Sequence, residues 1–488
     1  MPKISLVNKD IVQFNRRTVS NNRSFVMSLR SSPRVIIIGA GAAGISAASR
    51  LVENGFTDVK ILEAEDRIGG RICTRDFGDG IVDLGAQFCR KDSIVYNLVK
   101  DFNLLETRRI DTHVYHSKCG RLQDGFVKIL LDKVYDLYHQ KEQAENVEWK
   151  QYLMEKFDEE ISDHFTSEPE KSLARDNLDF VKKQLLLVTG SVCLNSVYGA
   201  VSGEYPPDFR LIWKSHGYQS LLDILMKKYL NTESTLQFAD KIMLKNEVAK
   251  IEWGDENNVR VVCENGSQYF ADHVIVTVPL GALKKQHKTL FYPSLPLRKQ
   301  KVIESLGFGT ILKVVFYFPT KWWTGNDFQF AWGEDDLNCA LEGEYSWVTN
   351  CMGFFQVSNN PNVLMTWFVG NSISQIESCV DDVLLNGAYY VLQKFLGGTF
   401  DNISKPIKLE RYGWSSNRHF GGVISYETLE SKSNGVTGET LAEVVVSKNG
   451  SPQLLFAGEA TNKIGYGSVN GAVLSGFREA DRIINFCK

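Results

Sequence analysis

The sequence predicts an α/β fold built from two interleaved domains, and three observations lead to it. Residues 34–38 form a short β-branched run, which a glycine-rich turn joins to a helix of small residues and then to a second strand at 59–63, giving a βαβ unit. Buried-strand runs of the same kind return far along the chain, at 272–278 and 454–459. Residues 132–179, by contrast, are charged and carry apolar side chains at helical intervals. Pieces of one parallel sheet at the start, middle and end of the chain imply a second domain woven through the first.

The remaining elements follow from similar patterns. The helix after the first strand extends to Val52 and stops at Asn54-Gly55, which is typical of a helix terminus. Residues 185–188 continue the helical character of the charged segment. Residues 313–318 predict a strand in a different, larger sheet, and residues 471–486 predict a helix that closes the chain.

Composition excludes several classes of protein. A net charge of −3 argues against nucleic-acid binding through bulk electrostatics, and no stretch has the roughly 18 apolar residues of a membrane helix. The nine cysteines are scattered and form no C-x-x-C pair, so we expect neither a metal site nor a disulfide framework. We expect most of them to be small core residues. The sequence predicts no oligomeric state.

The first 32 residues are polar, and four arginines stand against one acid, Asp10. This composition weakly resembles a mitochondrial transit peptide, but it has poor helical amphipathicity, so we expect residues 1–32 to be a disordered extension. The final tripeptide, Phe486-Cys487-Lys488, does not match the peroxisomal signal. The sequence therefore predicts a cytoplasmic location, with the mitochondrion as the alternative.

Residues 39–44 carry a dinucleotide-binding motif, G-x-G-x-x-G, between a strand and a helix. Gly39 permits the tight turn, Gly41 lets the backbone approach a diphosphate, and Gly44 allows the helix to pack closely on the strand. From Ala42 the helix N-terminus presents free N–H groups and a positive dipole. Glu63 ends the second strand 19 positions after Gly44, where a carboxylate binds ribose hydroxyls and repels a 2′-phosphate. These features indicate a Rossmann-type nucleotide site.

The identity of the dinucleotide is indicated by residues 67–71, R-I-G-G-R. This segment resembles the second phosphate-contacting element of FAD enzymes. In such an element Gly70 brings the chain close to the diphosphate, and Arg71 neutralises its charge. NAD dehydrogenases lack the element, so FAD is the predicted cofactor.

By its ordered series of motifs the chain resembles the flavin-containing amine oxidases, in particular the spermine and polyamine oxidase branch. The resemblance runs from residue 34 to residue 488. Each motif alone is moderately specific, but the set is very specific. The motifs are G-A-G-A-A-G at 39–44, R-I-G-G-R at 67–71, D-L-G-A-Q at 83–87, V-P-L-G-A-L at 278–283, L-G-F-G-T-I-L-K at 306–313, F-A-G-E-A-T at 456–461 and G-Y-G-S-V-N-G-A at 465–472.

The resemblance implies a monoamine/polyamine oxidase-like fold and gives the predicted domains their boundaries. The Rossmann-type FAD-binding domain comprises residues 33–110, 236–295 and 445–488. The substrate domain, a mixed sheet with helices, comprises residues 111–235 and 296–444.

The resemblance also assigns further cofactor contacts. Val248 meets the adenine end through its backbone, Glu459 binds ribityl or ribose hydroxyls, and Val469 offers its N–H to the flavin ring. The covalent-flavin branch has a cysteine near the last motif. Residues 462–466 hold none, so we expect non-covalent FAD.

The activity implied is polyamine catabolism through hydride transfer from a small amine to flavin N5. An imine forms and is hydrolysed to an aldehyde and an amine, and O₂ is reduced to hydrogen peroxide. Three catalytic positions carry over. Lys313 matches the lysine that holds a water against N5, Trp414 matches the tryptophan packed on the flavin, and Tyr466 matches one wall of the aromatic pair that sandwiches the amine.

Two substrate-facing positions depart from the family pattern. Arg90 stands where the polyamine oxidases have a histidine, and a permanently charged guanidinium repels a polycation. Ile424 stands at the second aromatic wall, which loses a cation–π contact of about 0.5–2 kcal/mol. A one-residue shift that brings in Tyr426 or Phe420 would restore that wall.

Three hypotheses remain open from the sequence. The first is an active FAD amine oxidase whose substrate is less cationic than spermine or carries an anionic group for Arg90. The second is an FAD-binding homologue with weak or no oxidase activity, in which flavin stabilises the fold. The third is another FAD oxidoreductase that acts on a C–C or C–H bond.

Overall fold

The computed structural model describes residues 32–109, 111–141, 149–194, 197, 209–228, 239–254, 258–358, 360–463 and 465–488. The predicted N-terminal extension, apart from Ser32, lies outside the described residues. Residues 33–488 cluster as one compact unit.

The α-helices of the described residues are α1 Ala42–Glu53, α2 Ile94–Val99, α3 Asp124–Lys141, α4 Trp149–His164, α5 Glu168–Asp176, α6 Leu178–Thr189, α7 Ser220–Leu225, α8 Leu280–Leu290, α9 Leu297–Ser305, α10 Glu334–Leu341, α11 Ile373–Ser378, α12 Asp381–Leu396, α13 Leu429–Ser433, α14 Gly438–Leu441 and α15 Val469–Cys487.

The strands are β1 Val35–Ile38, β2 Val59–Leu62, β3 Thr74–Phe77, β4 Gly80–Asp83, β5 Phe88–Cys89, β6 Leu105–Arg109, β7 Thr112–His116, β8 Gly120–Arg121, β9 Phe209–Trp213, β10 Ile242–Met243, β11 Val248–Glu252, β12 Val259–Cys263, β13 Gln268–Ala271, β14 His273–Val276, β15 Phe291–Tyr292, β16 Gly307–Gly309, β17 Leu312–Tyr317, β18 Asp327–Ala331, β19 Gly353–Gln356, β20 Val363–Phe368, β21 Lys408–Arg411, β22 Ile424–Tyr426, β23 Val445–Val446 and β24 Pro452–Phe456.

A six-stranded sheet forms the centre of the nucleotide-binding part, with strand order β10-β2-β1-β14-β24-β23. All its neighbours are parallel except the edge pair β23–β24. Its central strands are β-branched and almost fully buried, as expected of a parallel sheet covered on both faces. Helices α1 and α15 pack so closely that a Cβ on Gly476 would lie 2.2 Å from the Ala43 carbonyl oxygen. The strands predicted at 34–38, 59–63, 272–278 and 454–459 therefore lie side by side, although they are far apart in sequence.

A seven-stranded sheet forms the second large layer, with strand order β21-β17-β20-β19-β18-β7-β8. Only β7 and β18 pair in parallel, so the sheet is mixed. It contains the strand predicted at 313–318, as β17, and it is larger than the parallel sheet, as expected. Helices α3 to α6 supply the predicted helical character of residues 132–179 and 185–188. The predicted α/β fold class is confirmed.

The sheets follow the predicted domain boundaries with one exception. Every strand of the six-stranded sheet falls in 33–110, 236–295 or 445–488, and every strand of the seven-stranded sheet falls in 111–235 or 296–444. The three-stranded sheet β5-β9-β6 crosses the division, because β5 and β6 come from the first segment and β9 does not. The boundaries stay a prediction.

None of the nine cysteines, all of which are among the described residues, forms a disulfide bond, but the prediction that most lie in the core is wrong. Only Cys73, Cys89, Cys263 and Cys351 are buried, and four of the others are exposed. The reason is that cysteine type alone does not report which face of an element a residue occupies. Among the described residues, no helix combines the length and the apolar character that crossing a membrane requires.

Candidate cofactor and substrate site

A cavity of about 1520 Å³ lies at the carboxyl edge of the six-stranded sheet. Gly39, Glu63 and Thr277 line it directly after β1, β2 and β14, and Glu459 lines it three residues after β24, at the edge where α/β sheets bind their ligands. The same cavity continues to Lys313 on β17. Its volume exceeds the roughly 300–1,000 Å³ of a typical single-ligand pocket, so it has room for a dinucleotide and a second ligand.

The glycine turn has the geometry that a diphosphate site requires. Gly39 has φ +108, in the left-handed region that favours glycine, and its N–H donates to the Leu62 carbonyl at 2.8 Å. A Cβ on Gly44 would lie 2.0 Å from the Gly39 carbonyl oxygen, so this glycine is required by packing. Gly41 differs, because it lines the cavity and a Cβ there would come no closer than 3.9 Å to another protein atom.

Helix α1 begins at Ala42, and no side chain caps its first turn. Its first N–H groups therefore have no intrahelical partner and carry the positive end of the helix dipole. Ala42 lines the cavity, so this end of the helix suits an anionic group.

Glu63 is buried at the end of β2, and its two oxygens accept backbone N–H groups of Ala40 (2.7 Å) and Glu65 (2.9 Å). Burial raises the pKa of Glu63, and the two hydrogen bonds oppose that rise. A carboxylate has about four acceptor positions, so Glu63 retains capacity for ribose hydroxyls.

The second glycine loop lies directly against the first. Gly69 donates to the Ala40 carbonyl at 2.8 Å, and Gly70 lines the cavity. Arg71 also lines the cavity, and one of its nitrogens donates to Glu459 (2.9 Å) and to the Val423 carbonyl (2.7 Å). Arg71 and Glu459, expected to meet the cofactor separately, thus form an ion pair in the cavity wall and leave other guanidinium N–H groups for a phosphate.

The two backbone contacts predicted for valines also border the cavity. Val248 is buried at the start of β11, where the ladder to β12 shifts register. Val469 is the first residue of α15, so its N–H belongs to the unpaired first turn of that helix. Ser468 caps the helix through the N–H of Gly471.

Lys313 is buried in the cavity wall, with Nζ donating to the backbone carbonyls of Asp83 (2.5 Å) and Gly85 (2.9 Å). Burial lowers the pKa of Lys313 to about 8, and the nearby Asp83 carboxylate opposes that fall. A lysine that faced bulk solvent would show neither the two carbonyl contacts nor the lowered pKa. Lys313 can therefore exchange a proton inside the cavity near neutral pH.

Trp414 and Phe420 form an aromatic part of the wall. The Trp414 indole is buried, donates to the Leu84 carbonyl at 3.3 Å and has its ring 5.1 Å from that of Phe420. Both residues line the cavity.

The remaining predicted substrate residues divide between two locations. Arg90 and Ile424 line the cavity, and Arg90 is half-exposed and paired with Asp92 at 2.8 Å. Tyr466 is not one of the cavity-lining residues. Its ring lies beside Gly438, behind the wall, and burial raises its pKa. The structure thus brings Lys313, Trp414, Arg90 and Ile424 to one space and leaves Tyr466 outside it.

Sequence reasoning missed an ion pair in the wall of the cavity. Arg108 donates to the buried Asp327 at 2.9 Å, and both residues line the cavity. Arg210, opposite Arg108 on the neighbouring strand, lies over the ring of Phe88 at 4.5 Å. No local signal could have found this group, because Arg108 and Asp327 are 219 residues apart.

The sequence predicted no role for Asp83, although this residue begins the motif at 83–87. Asp83 lines the cavity, and its backbone carbonyl accepts a hydrogen bond from Lys313. Its carboxylate accepts a hydrogen bond of 2.6 Å from the Thr74 hydroxyl. An acidic residue at the end of a short strand, directly before Leu-Gly, was the available signal.

Comparison with known proteins gives concordant matches over nearly the whole chain. The model of the flavin containing amine oxidoreductase family matches residues 42–484. The peroxisomal N(1)-acetyl-spermine/spermidine oxidase of Bos taurus is 30% identical over 503 residues, covering 93% of this chain and 94% of that protein. Protein anon-37Cs of Drosophila simulans is 29% identical over 503 residues, covering 99% and 97%.

A solved structure of wild-type putrescine oxidase bound to putrescine has the same fold. It superposes with a TM-score of 0.66 at 19% identity and covers 93% of this chain and 99% of its own.

Proposed function

The chain belongs to the flavin-containing amine oxidoreductases, and from that premise we propose that it is an FAD-dependent oxidase of a small, polyamine-like amine with O₂ as electron acceptor. One observation carries the proposal. The buried amine of Lys313 lies in the wall of the same cavity that the dinucleotide-binding edge opens into.

The residues at that edge fit FAD. The uncapped N-terminus of α1 and the open space at Gly41 suit the diphosphate, Glu63 suits a ribose, and Arg71 suits a phosphate. Val248, Glu459, Gly70 and Val469 would complete the contacts. When bound, FAD supplies the hydride acceptor at N5 for conversion of the amine to an imine, and thence an aldehyde and an amine, and it returns the electrons to O₂ as H₂O₂.

The protein's own residues hold the amine, exclude water and handle one proton. Lys313 keeps two of its Nζ positions on backbone carbonyls, so the third can donate or accept a proton in the cavity. Trp414 is fixed by its hydrogen bond to Leu84 and supplies a rigid apolar surface. Both side chains are almost fully buried, which excludes bulk water from this part of the site.

The arginines of the cavity wall support a less cationic amine than spermine. Arg90, paired with Asp92, Arg108, paired with Asp327, and Arg210 line the cavity, and a guanidinium offers no acceptor to an ammonium group. The curated relative from Bos taurus is named for acetylated polyamines, which carry fewer positive charges than the parent amines. We therefore propose an N-acylated or acid-bearing amine before free spermine.

A second candidate function is an FAD-binding protein with weak or no oxidase turnover. The positions of both predicted walls favour it, because the ring of Tyr466 lies beside Gly438 and the second wall position, Ile424, is not aromatic. Bound FAD would stabilise such a protein by mass action whether or not it turned over.

Anaerobic mixing of purified holoprotein with amines, followed by flavin absorbance, separates the two candidates. The panel holds spermine, spermidine, their N-acetyl forms, and monoamines with and without a carboxylate. Bleaching by one class supports the oxidase and identifies its substrate. If dithionite bleaches the flavin and no amine does, the oxidase proposal is refuted. Lys313→Met is the matched variant, since it should retain FAD while slowing flavin reduction or reoxidation.

We further propose that FAD is held non-covalently. Segments 33–110, 236–295 and 445–488 would hold it, and segments 111–235 and 296–444 would hold the substrate. We also propose that the protein acts in the cytoplasm. Acid precipitation tests whether FAD is bound non-covalently. Non-covalent FAD appears in the supernatant, whereas a covalent flavin stays with the pellet.

A further inference from the structure

Lys313 presents a single variable position to the cavity. Its ammonium form has three N–H donors, of which two are used by the carbonyls of Asp83 and Gly85. The neutral amine has two N–H donors and one lone pair, so it can keep both carbonyl contacts. Loss of the proton therefore changes only the third position, from a donor to an acceptor. Which form is present decides what Lys313 can do there.

Two titratable groups act on Lys313 from the elements packed against it, the Asp83 carboxyl and the Cys73 thiol. Of the two residues, Asp83 has the more direct connection to the lysine amine, since its backbone carbonyl accepts from Nζ and its carboxylate also acts on the charge. Its carboxylate accepts from the Thr74 hydroxyl at 2.6 Å and from the Tyr218 N–H at 3.2 Å. Burial raises the pKa of the Asp83 carboxyl, and Thr74, Lys313 and Tyr218 oppose that rise because each favours the ionised form beside the lysine.

We propose that Asp83 is a positioning residue that determines which charge state Lys313 presents to the cavity. Its carbonyl fixes Nζ, and its carboxylate, held by Thr74 and Tyr218, favours the ammonium. Burial of Lys313 acts in the opposite direction, because a charge without solvent is costly. The balance of these two effects leaves Lys313 able to change charge near neutral pH. The importance of that balance for catalysis rests on the proposed function, whereas the charge coupling itself does not.

The first test uses the FAD-free protein and needs no activity. We would measure the unfolding midpoint between pH 6 and pH 11 for wild type, Asp83→Asn and each of these combined with Lys313→Met. The difference in unfolding midpoint between a protein and its Lys313→Met partner isolates the contribution of the lysine. The pH at which this difference begins to change is its onset. Removing the Asp83 charge should move the onset to lower pH by about one unit, a tenfold change in the proton affinity of Lys313. An unchanged onset would overturn the proposal.

Two further variants make the comparison decisive. Thr74→Val keeps the Asp83 carboxyl but removes a donor to it, so it should move the onset in the same direction by less. It replaces Asp83→Asn if that variant does not fold, and an unchanged onset in it then overturns the proposal. Asp272→Asn is the control, because it removes a carboxylate paired with Arg34 at the opposite end of the parallel sheet and should leave the onset in place.

A second readout separates this inference from the proposed function. We would measure reoxidation by O₂ of dithionite-reduced holoprotein across the same pH range. A midpoint that moves to lower pH in Asp83→Asn, together with the unfolding onset, supports both. If only the unfolding onset moves, the charge coupling stands and the role of Lys313 in flavin chemistry fails. If neither moves, the coupling itself is refuted.

Discussion

Substituting Gly41 should separate a glycine that the cofactor requires from one that the fold requires. Gly41 has an extended backbone, φ −77 and ψ −178, that alanine adopts without strain. Its new Cβ would meet no protein atom closer than 3.9 Å. Gly41→Ala should therefore fold as well as wild type, and a smaller entropy of the unfolded chain should add about 0.4–1 kcal/mol.

FAD binding should suffer in the same variant, because the Cβ occupies the cavity edge where the diphosphate is expected. An added methyl in a closely packed contact costs about 1–3 kcal/mol. Since 1.4 kcal/mol is a factor of ten, the Kd for FAD should rise roughly 5- to 150-fold. Titration of FAD-free protein by flavin fluorescence measures that change, and thermal unfolding of the FAD-free protein measures the fold.

Gly44→Ala is the matched control, since its Cβ would lie 2.0 Å from the Gly39 carbonyl oxygen and must displace backbone. It should lower the stability of the FAD-free protein by about 1–3 kcal/mol or more. The reasoning is refuted if Gly41→Ala binds FAD like wild type, or if it destabilises the FAD-free protein as much as Gly44→Ala does.

Three further predictions address single side chains. The folded pKa of Lys313, about 8, lies below its ordinary 10.5, so the unfolded state binds more protons in that interval and stability should rise with pH by up to about 3 kcal/mol. Lys313→Met should lose this rise, measured as the free energy of unfolding at pH 7.5 and 10.5. Arg90→His should increase the turnover of N-acetylspermine or spermine, measured as peroxide release, whereas Arg90→Lys, which keeps the charge, should not. Equal rates in wild type and both variants would mean that Arg90 is no obstacle to these amines. Glu63→Gln should weaken FAD by about 1.5–3 kcal/mol, the range of a hydrogen bond to a charged group, and an unchanged Kd would remove Glu63 from the ribose.

The nucleotide-binding edge was predictable because each of its parts is a local pattern. Gly39 and Gly44 are required by a turn and by helix packing within six residues, and Glu63 ends the next strand. The order of these elements is enough to bring them together, since parallel strands meet at one edge. Lys313 was found differently, through a motif that resembles a family. Its burial and its two carbonyl contacts were not visible in the sequence.

The sequence by itself determined the α/β fold class and the dinucleotide motif. These are properties of residue type and short-range spacing, so the linear order contains them. The choice of FAD and the departures at Arg90 and Ile424 came from a resemblance to a family, and the two departures stay predictions. Only the tertiary structure decided what each charged or aromatic side chain faces. Lys313 meets Asp83 across 230 residues, and Tyr466 packs beside Gly438 instead of lining the cavity. Such contacts depend on how distant elements pack, and packing is a three-dimensional property that no local pattern encodes.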